Sequence, residues 1–487
     1  MTALLTFITI ALYLGVLFAL THRSNRTADN DTFFVGNRRQ PSWLVGLAMI
    51  GAPMTGVTFI SVPGSVWASS FSYLQMVLGF VVGSVIIAYI LIPLYYKHNV
   101  TSLYEYLDHR FGITSHKAGA WLFFVSKIVM AALRVFVVCV VVQQLLCSAL
   151  GVPFGITSLV FMLLVWLYTR RGGVRSVVWS DALKTLCMVA CIALSLIFII
   201  RALDTSTEEL ISRIFDSGLT KTLFLDDVND SRHFVKMFFA GIFMIIAMTG
   251  LDQDMMQRAL SSSSQRSAQR NIVLASLLQG VVISLLLALG VLLYLYLGQD
   301  GGATVKADEV FAFVATHEGM PAILSVLLVL GVIASTFSST GGSLTSLTTS
   351  FTVDILGGRQ NLTEERLTKA RRVVHIGCAV LLLALVLVFE RWSDGSTIDL
   401  LYRLASYTYG PLLGMFAFGI LSKRRVCDRY VPAVVIASPI ICGVLDALSQ
   451  RLFGGYSFGF ELVVLNAALT MLGLLIFSRK ASEKSSL

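Results

Sequence analysis

The chain has 487 residues, of which 56% are hydrophobic and only 13% charged, and its mean hydropathy is +0.79. These values exclude a soluble globular protein, because soluble domains contain about 25% charged residues. The formal net charge is +9, but the basic residues are spread over separate segments, which argues against a nucleic-acid partner. The composition predicts an all-α integral membrane protein.

Apolar stretches long enough to cross about 30 Å of hydrocarbon recur along the whole chain. The first stretch is followed, not preceded, by basic residues, so we interpret it as a mature helix and not as a cleaved signal peptide. We predict thirteen transmembrane helices, at residues 2–21, 43–69, 73–96, 117–149, 154–169, 177–202, 234–256, 271–298, 319–355, 366–391, 398–422, 428–451 and 458–478.

Lys and Arg are concentrated in the segments that follow the odd-numbered spans. Basic loops are retained on the cytoplasmic side, so we predict a multi-pass protein of the plasma (inner) membrane with its N-terminus outside and its C-terminus in the cytoplasm. The seven cysteines lie in or beside apolar spans. Their positions indicate neither a disulfide framework nor a zinc site.

Two spans contain residues that interrupt helices. The second span includes GAPMTGVTFISVPG, in which Pro53 lacks a backbone donor and two nearby glycines relax the chain, so we predict unwinding between 51 and 58. The seventh span carries Thr249 and Gly250 before a polar segment. Backbone groups freed in the membrane persist only where protein or a water-filled cavity covers them. Each break therefore indicates either a binding site or a structural kink.

The broken spans are the first and sixth of ten consecutive spans, once the first helix is set aside as peripheral. This spacing predicts two five-helix repeats of opposite orientation, because an odd number of spans inverts the second copy. We predict a single transporter domain over 1–487. Its parts are a peripheral helix with a cytoplasmic loop (1–42), the first repeat (43–202), the second repeat (234–422), and two C-terminal helices with a short tail (428–487).

The ninth span carries a face rich in hydroxyl groups. Ser335, Ser338 and Ser339 lie on one side of a helix by their i, i+3 and i+4 spacing. Hydroxyl and carbonyl oxygens suit a hard cation such as Na⁺. Ser and Thr also pack helix interfaces and bond back to the preceding turn, so the pattern alone leaves a sodium site and simple packing both open.

Seven ordered motifs between about residues 30 and 425 resemble the sodium/solute symporters, the family that includes sodium–glucose, proline, iodide and sialic acid transporters. The motifs are FFVGNRRQPSW, GAPMTGVTFISVPG, NVTSLYEYLDHRFG, RRGGVRSVVWSDALK, TGLDQDMMQR, IASTFSSTGGSLTS with TVDI, and YGPLLGMF. The resemblance implies a LeuT-like fold, a 5+5 inverted repeat with two broken helices. It also implies a symporter, not an enzyme, that binds Na⁺ and then a small polar solute.

By the same resemblance, a sodium site joins the second and ninth spans. The implied ligands are the backbone oxygens of Gly51, Met54 and Ser335 and the hydroxyls of Ser338 and Ser339.

The acid of the family in WSDALK is Asp181, which in some members helps to form a second sodium site. Here it serves that site, gating or a local bond. Thr340, Gly341 and Gly342 follow the Ser-Ser pair, and the two glycines offer no side-chain oxygen. We therefore predict that one sodium ion is coupled.

Arg134 lies in the middle of the fourth span, where a charged side chain costs about 2.5–3.5 kcal/mol. It should face the cavity, where a guanidinium suits a carboxylate, or pair with a buried acid. The sialic acid transporters resemble this arrangement. They have Thr or Ser hydroxyls on the broken helix, which correspond here to Thr55 and Thr58, and a Gln on the next span, which corresponds to Gln75. We predict these four residues as substrate contacts.

The solute that this pattern favours is a small carboxylate such as sialic acid. A neutral sugar, a polyol or an amino acid is the alternative, and a non-transporting membrane sensor is the alternative of another class. A membrane-embedded hydrolase is disfavoured, because the seven histidines fall in loops or near the ends of spans. We expect a monomer whose partners are the solute, the sodium ion and the lipid bilayer.

Overall fold

The computed structural model describes residues 2–24, 29–98, 100–143, 147–148, 151–317, 320–392, 397–452, 456 and 458–479. Within these ranges, nine helices are long and apolar enough to cross a membrane. Two further spans are pairs of helices bent at a short break, and two apolar helices are shorter. Together these elements occupy the thirteen positions predicted from the sequence.

Most helices begin and end within about four residues of the predicted spans, but the fourth ends at Val142 and not at 149, and the eighth begins at Gln265 and not at 271. The long helices are Thr2–Ser24, Tyr73–Lys97, Ile113–Val142, Val174–Ala202, Gln265–Gly298, Ala322–Ile355, Glu364–Trp392, Thr397–Leu421 and Val431–Leu452. The shorter apolar helices are Phe154–Thr169 and Leu462–Ile476, and the bent pairs are Ser42–Gly51 with Gly56–Ser69 and Phe234–Gly250 with Gln253–Leu260.

Short elements connect the spans. The helical ones are Asn30–Val35, Glu105–Arg110, Thr207–Asp216, Val310–Thr316 and Gly358–Asn361. Two strands of two residues each, Arg425–Val426 and Ser478–Arg479, pair antiparallel. This pairing adds a small element to the predicted all-α fold, and segments this short carry no hydrophobic period from which to predict them.

The first broken span bends by 49°. Its first half ends at Gly51, and its second half begins after Thr55, whose hydroxyl accepts from the Thr58 N–H at 3.4 Å. The Thr58 hydroxyl accepts in turn from the Thr55 N–H at 3.3 Å, which completes a capping box. Because this cap starts the helix early, the break covers 52–55 and is shorter than the predicted unwinding over 51–58.

The second broken span bends by 69°. Its first half ends at Gly250, and Asp252 caps the next helix by accepting from two backbone N–H groups. The hydroxyls of Tyr95 and Tyr104 donate to the freed carbonyls of Gly250 and Leu251, at 2.8 and 3.1 Å. The broken backbone is therefore satisfied by neighbouring helices, as the membrane interior requires.

The ninth span forms the centre of the molecule. Every residue from Ser335 to Ser350 is buried, and the outer helices expose large apolar side chains such as Leu12, Tyr89 and Val380. Apolar surface of this kind is suited to lipid. The structure therefore agrees with a multi-pass membrane protein whose hydroxyl-rich helix is shielded from the bilayer.

Candidate solute and sodium site

The two breaks meet at one cavity. It encloses about 970 Å³ of space not filled by atoms, its open mouth included. Residues of both broken helices and of the third, fourth, eighth and eleventh spans line it. The backbone freed at each break therefore lies beside a cavity, which favours a binding site over a simple kink.

Three of the four predicted substrate contacts, Thr55, Thr58 and Arg134, line this cavity. The two threonine hydroxyls lie 3.4 Å apart within the capping box, so the same side chains that start the helix present oxygens to the cavity. Arg134 enters from the fourth span. Its Nε is buried and has no hydrogen-bond partner among the described residues.

The prediction that Gln75 contacts the solute needs correction, because the structure places this residue outside the cavity. Its side chain is fully buried, its Nε2 donates to the Arg232 carbonyl at 2.8 Å and its Oε1 accepts from the Phe224 N–H at 3.1 Å. The amide is thus satisfied by the loop after the sixth span. Tyr73, two residues earlier, lines the cavity instead.

A second cation, Lys127, lines the cavity seven residues before Arg134, two helical turns away on the same face. Its Nζ lies 2.9 Å from Asp252 Oδ2 and 2.9 Å from Asp254 Oδ2. Tyr409 also donates to Asp252. Within the described residues, the nearby acids are therefore held by Lys127, and Arg134 has no ion pair.

Six buried charged side chains form a continuous chain of alternating sign. Lys184 Nζ lies 3.0 Å from Asp181 Oδ1, and Arg258 Nε lies 2.5 Å from Asp181 Oδ2. Arg258 also pairs with Asp254, which leads to Lys127 and Asp252. Charges this deeply buried are tolerated only when they are paired. This chain of six paired side chains has three charges of each sign and is neutral. Arg134 is therefore an unmatched positive charge beside it.

Two of the three serine hydroxyls on the ninth span form hydrogen bonds within their own helix. Ser338 Oγ donates to Asp181 Oδ1 at 2.5 Å, whereas the hydroxyls of Ser335 and Ser339 bond back to carbonyls of the preceding turn at 2.9 and 3.2 Å. Back-bonding is the ordinary behaviour of a helix serine. Ser338 is therefore the one of the three whose hydroxyl reaches another span in this structure.

The first break lies directly against the sixth and ninth spans. The Gly51 carbonyl accepts from the Met54 N–H at 2.9 Å, and a Cβ placed on Gly51 would lie 3.1 Å from Lys184 Cε. Across the break, a Cβ on Gly56 would lie 2.5 Å from Thr336 Oγ1 of the ninth span. The two segments predicted to hold sodium are therefore neighbours.

The structure explains why two glycines, Gly341 and Gly342, lie just beyond the Ser-Ser pair and Thr340. A Cβ on Gly342 would lie 2.0 Å from Arg258 Nη2, and a Cβ on Gly341 would lie 1.6 Å from the Tyr168 hydroxyl oxygen. That hydroxyl donates to the Phe337 carbonyl at 2.8 Å. A guanidinium and a phenol therefore occupy the space next to Asp181 in which further hydroxyl ligands would have to lie.

The loop between the third and fourth spans forms hydrogen bonds with the second break and with the ninth span. Asp354 accepts from Ser102 Oγ at 2.6 Å and contacts His116 Nε2 at 2.9 Å, and the Gln253 amide bonds to this loop's backbone at 2.8 and 3.0 Å. Burial raises the pKa of Glu105 in the same loop. These contacts account for the NVTSLYEYLDHRFG and TVDI motifs.

Sequence reasoning missed several of these groups, although their spacing gave a signal. Lys127 precedes Arg134 by seven residues, Lys184 follows Asp181 by three, and Arg258 follows Asp254 by four. Side chains three, four or seven apart lie on one helix face. The spacing could have identified the partners within a helix, but not the contacts between helices.

A bundle of long apolar helices in which two broken helices meet at a cavity with charged and hydroxyl side chains in its lining has the architecture of a secondary transporter. Residues 33–427 match the model of the sodium:solute symporter family, and the chain belongs to this family. It is 23% identical over 480 residues to the sodium/sialic acid symporter SiaT of Proteus mirabilis. The aligned region covers 96% of this chain and 94% of the relative.

A second relative and a solved structure agree with this assignment. The sodium/sialic acid symporter NanT of Aliivibrio fischeri is 23% identical over 476 residues, with 96% of this chain and 92% of the relative covered. The structure of a Na⁺-coupled sialic acid symporter in a substrate-bound outward-open state superposes with a TM-score of 0.83 at 20% identity, covering 98% of this chain and 99% of the other. The predicted LeuT-like fold and the coupling to Na⁺ are thus confirmed.

Proposed function

We propose that this protein imports a small organic carboxylate, a sialic acid in the simplest case, together with one Na⁺. In this proposal it is a monomer of the plasma membrane with its N-terminus outside, and the inverted repeats over 43–202 and 234–422 enclose the site. The observation that carries the proposal is the unmatched charge of Arg134 in a cavity whose other buried charges are balanced.

An anionic solute is the partner that this charge requires. A carboxylate can accept two parallel hydrogen bonds from a guanidinium, and each hydrogen bond to a charged group contributes about 1.5–3 kcal/mol. Thr55 and Thr58 line the same cavity and offer oxygens for the hydroxyl groups of a sugar acid. The two relatives named as sialic acid symporters support the same class of solute.

We propose a single sodium site, with Gly51, Met54, Ser335, Ser338 and Ser339 as ligands. A second ion at Asp181 is disfavoured, because Arg258 and Lys184 both lie against that carboxylate. Asp181 then serves to hold the sixth, seventh and ninth spans together.

The solute proposal is tested by uptake of labelled N-acetylneuraminic acid into proteoliposomes under an inward Na⁺ gradient. Arg134→Lys keeps the charge but loses the bidentate geometry, and we expect uptake to fall at least about tenfold. The matched control is Arg451→Lys, at an exposed arginine near the end of the twelfth span, which should transport normally.

A neutral analogue separates charge recognition from shape. We expect the wild-type protein to prefer sialic acid strongly over its carboxamide, and Arg134→Gln to lose that preference, because only the arginine distinguishes the two head groups. Equal transport of acid and carboxamide by the wild type, together with normal uptake by Arg134→Lys, would show that the solute is neutral and that Arg134 is structural.

A further inference from the structure

Lys184 is a fully buried lysine at the place where the sodium ion is predicted to bind. Its Nζ lies 3.0 Å from Asp181 Oδ1, the oxygen that also accepts from Ser338 at 2.5 Å. Its Cε lies 3.1 Å from the position of a Cβ on Gly51. The side chain therefore runs between the two segments that supply the predicted sodium ligands.

The ammonium group is poorly satisfied in this position. Among the described residues its one ion-pair partner is Asp181, and no other polar group donates to or accepts from Nζ. An ammonium carries three donors, and burying it with so few partners is costly. The backbone and hydroxyl oxygens that would bind Na⁺ are also the groups that could accept from an ammonium, so the two cations require the same environment.

The charge balance allows only one cation at this place. The chain from Lys184 to Asp252 is neutral with Lys184 charged, and Arg258 already shares Asp181 and Asp254. A sodium ion added between Gly51 and Ser338 would lie within a few ångströms of the ammonium. Like charges that close repel strongly away from water.

We propose that the ammonium of Lys184 and Na⁺ are alternative occupants of this site. Lys184 is a tethered cation that fills the site in the sodium-free protein and withdraws when Na⁺ binds. The inference rests on the sodium site proposed above but not on the identity of the solute. It assigns Lys184 as the residue that sets sodium affinity, because every binding event must displace it.

The test measures Na⁺ binding alone, without solute, so that an error about the solute does not affect it. Binding of ²²Na⁺ to protein in nanodiscs is titrated at constant ionic strength with choline as the replacement cation. Lys184→Ala and Lys184→Gln remove the competing charge, and we expect the Kd for Na⁺ to fall at least about tenfold. Lys184→Arg keeps a tethered cation and should not gain affinity. Lys117→Gln, at an exposed lysine, is the control and should bind as the wild type does.

An added ammonium provides an independent readout. In Lys184→Ala, ethylammonium should enter the vacated space and raise the apparent Kd for Na⁺ competitively, whereas the wild type should not respond. If the alanine variant does not fold, the glutamine variant, which nearly conserves volume, decides the question by its Kd. Unchanged or weaker Na⁺ binding by a folded Ala or Gln variant would overturn the proposal. If the wild-type protein does not bind Na⁺ at all, both this proposal and the proposed sodium site are overturned.

Discussion

Replacing Gly342 by alanine tests whether Arg258 occupies the space beside Asp181. The new Cβ would lie 2.0 Å from Arg258 Nη2 and 2.5 Å from Asp254 Oδ1, so at least one partner of a buried ion pair must move. If both side chains shift together, the cost is that of overpacking, about 1–3 kcal/mol. If the ion pair separates, the cost rises to about 3–5 kcal/mol, because a buried charge loses its partner.

The control is Gly377→Ala, at a helix position where a Cβ meets nothing within 4 Å. This substitution should be neutral or stabilise by about 0.4–1 kcal/mol, because alanine lowers the entropy of the unfolded chain. Both variants are compared with the wild type by thermal unfolding in the same detergent at one scan rate, since membrane proteins often unfold irreversibly. We expect Gly342→Ala alone to unfold earlier. Equal stability of the two variants would refute the placement of Arg258.

Two further predictions concern the ion and the topology. Ser339→Ala removes one proposed hydroxyl ligand and keeps a good helix former, so Na⁺ affinity should weaken with little loss of expression. The Na⁺ dependence of uptake should keep a Hill coefficient near 1. An unchanged Na⁺ dependence would show that Ser339 is not a ligand. Cys427 is the exposed cysteine among the seven and follows the eleventh span, so a membrane-impermeant maleimide should label it from the cytoplasmic side only. Labelling of intact cells at Cys427 would contradict the predicted orientation.

The sequence predicted the transmembrane architecture well, because its main determinants are local. A helix needs about 20 apolar residues to cross the bilayer, and Pro53 or a Thr-Gly pair interrupts one wherever it falls. The length of the first break was overestimated, because the capping box between Thr55 and Thr58 restarts the helix. Such a box forms only if both hydroxyls turn toward the backbone, which the residue types alone do not determine.

The site was predicted only in part, because its remaining features depend on contacts between distant segments. Arg134 could be identified by the cost of a charge in the membrane. Gln75 could not be placed, since its partners at Phe224 and Arg232 lie about 150 residues away in the sequence. Gly342 was interpreted as a missing ligand, whereas the structure shows that it makes room for Arg258.

The alternating chain of charges physically connects the two proposed binding sites. Lys184 stands at one end, between Gly51 and Asp181, and Lys127 with Asp252 lines the solute cavity at the other. When Na⁺ displaces the ammonium, the partners of Asp181 must redistribute, and Arg258 transmits that change to Asp254 and so to the cavity. Coupling of this kind is reciprocal. The factor by which Na⁺ raises solute affinity must therefore equal the factor by which the solute raises Na⁺ affinity, and neutralising Lys184 should reduce both factors equally.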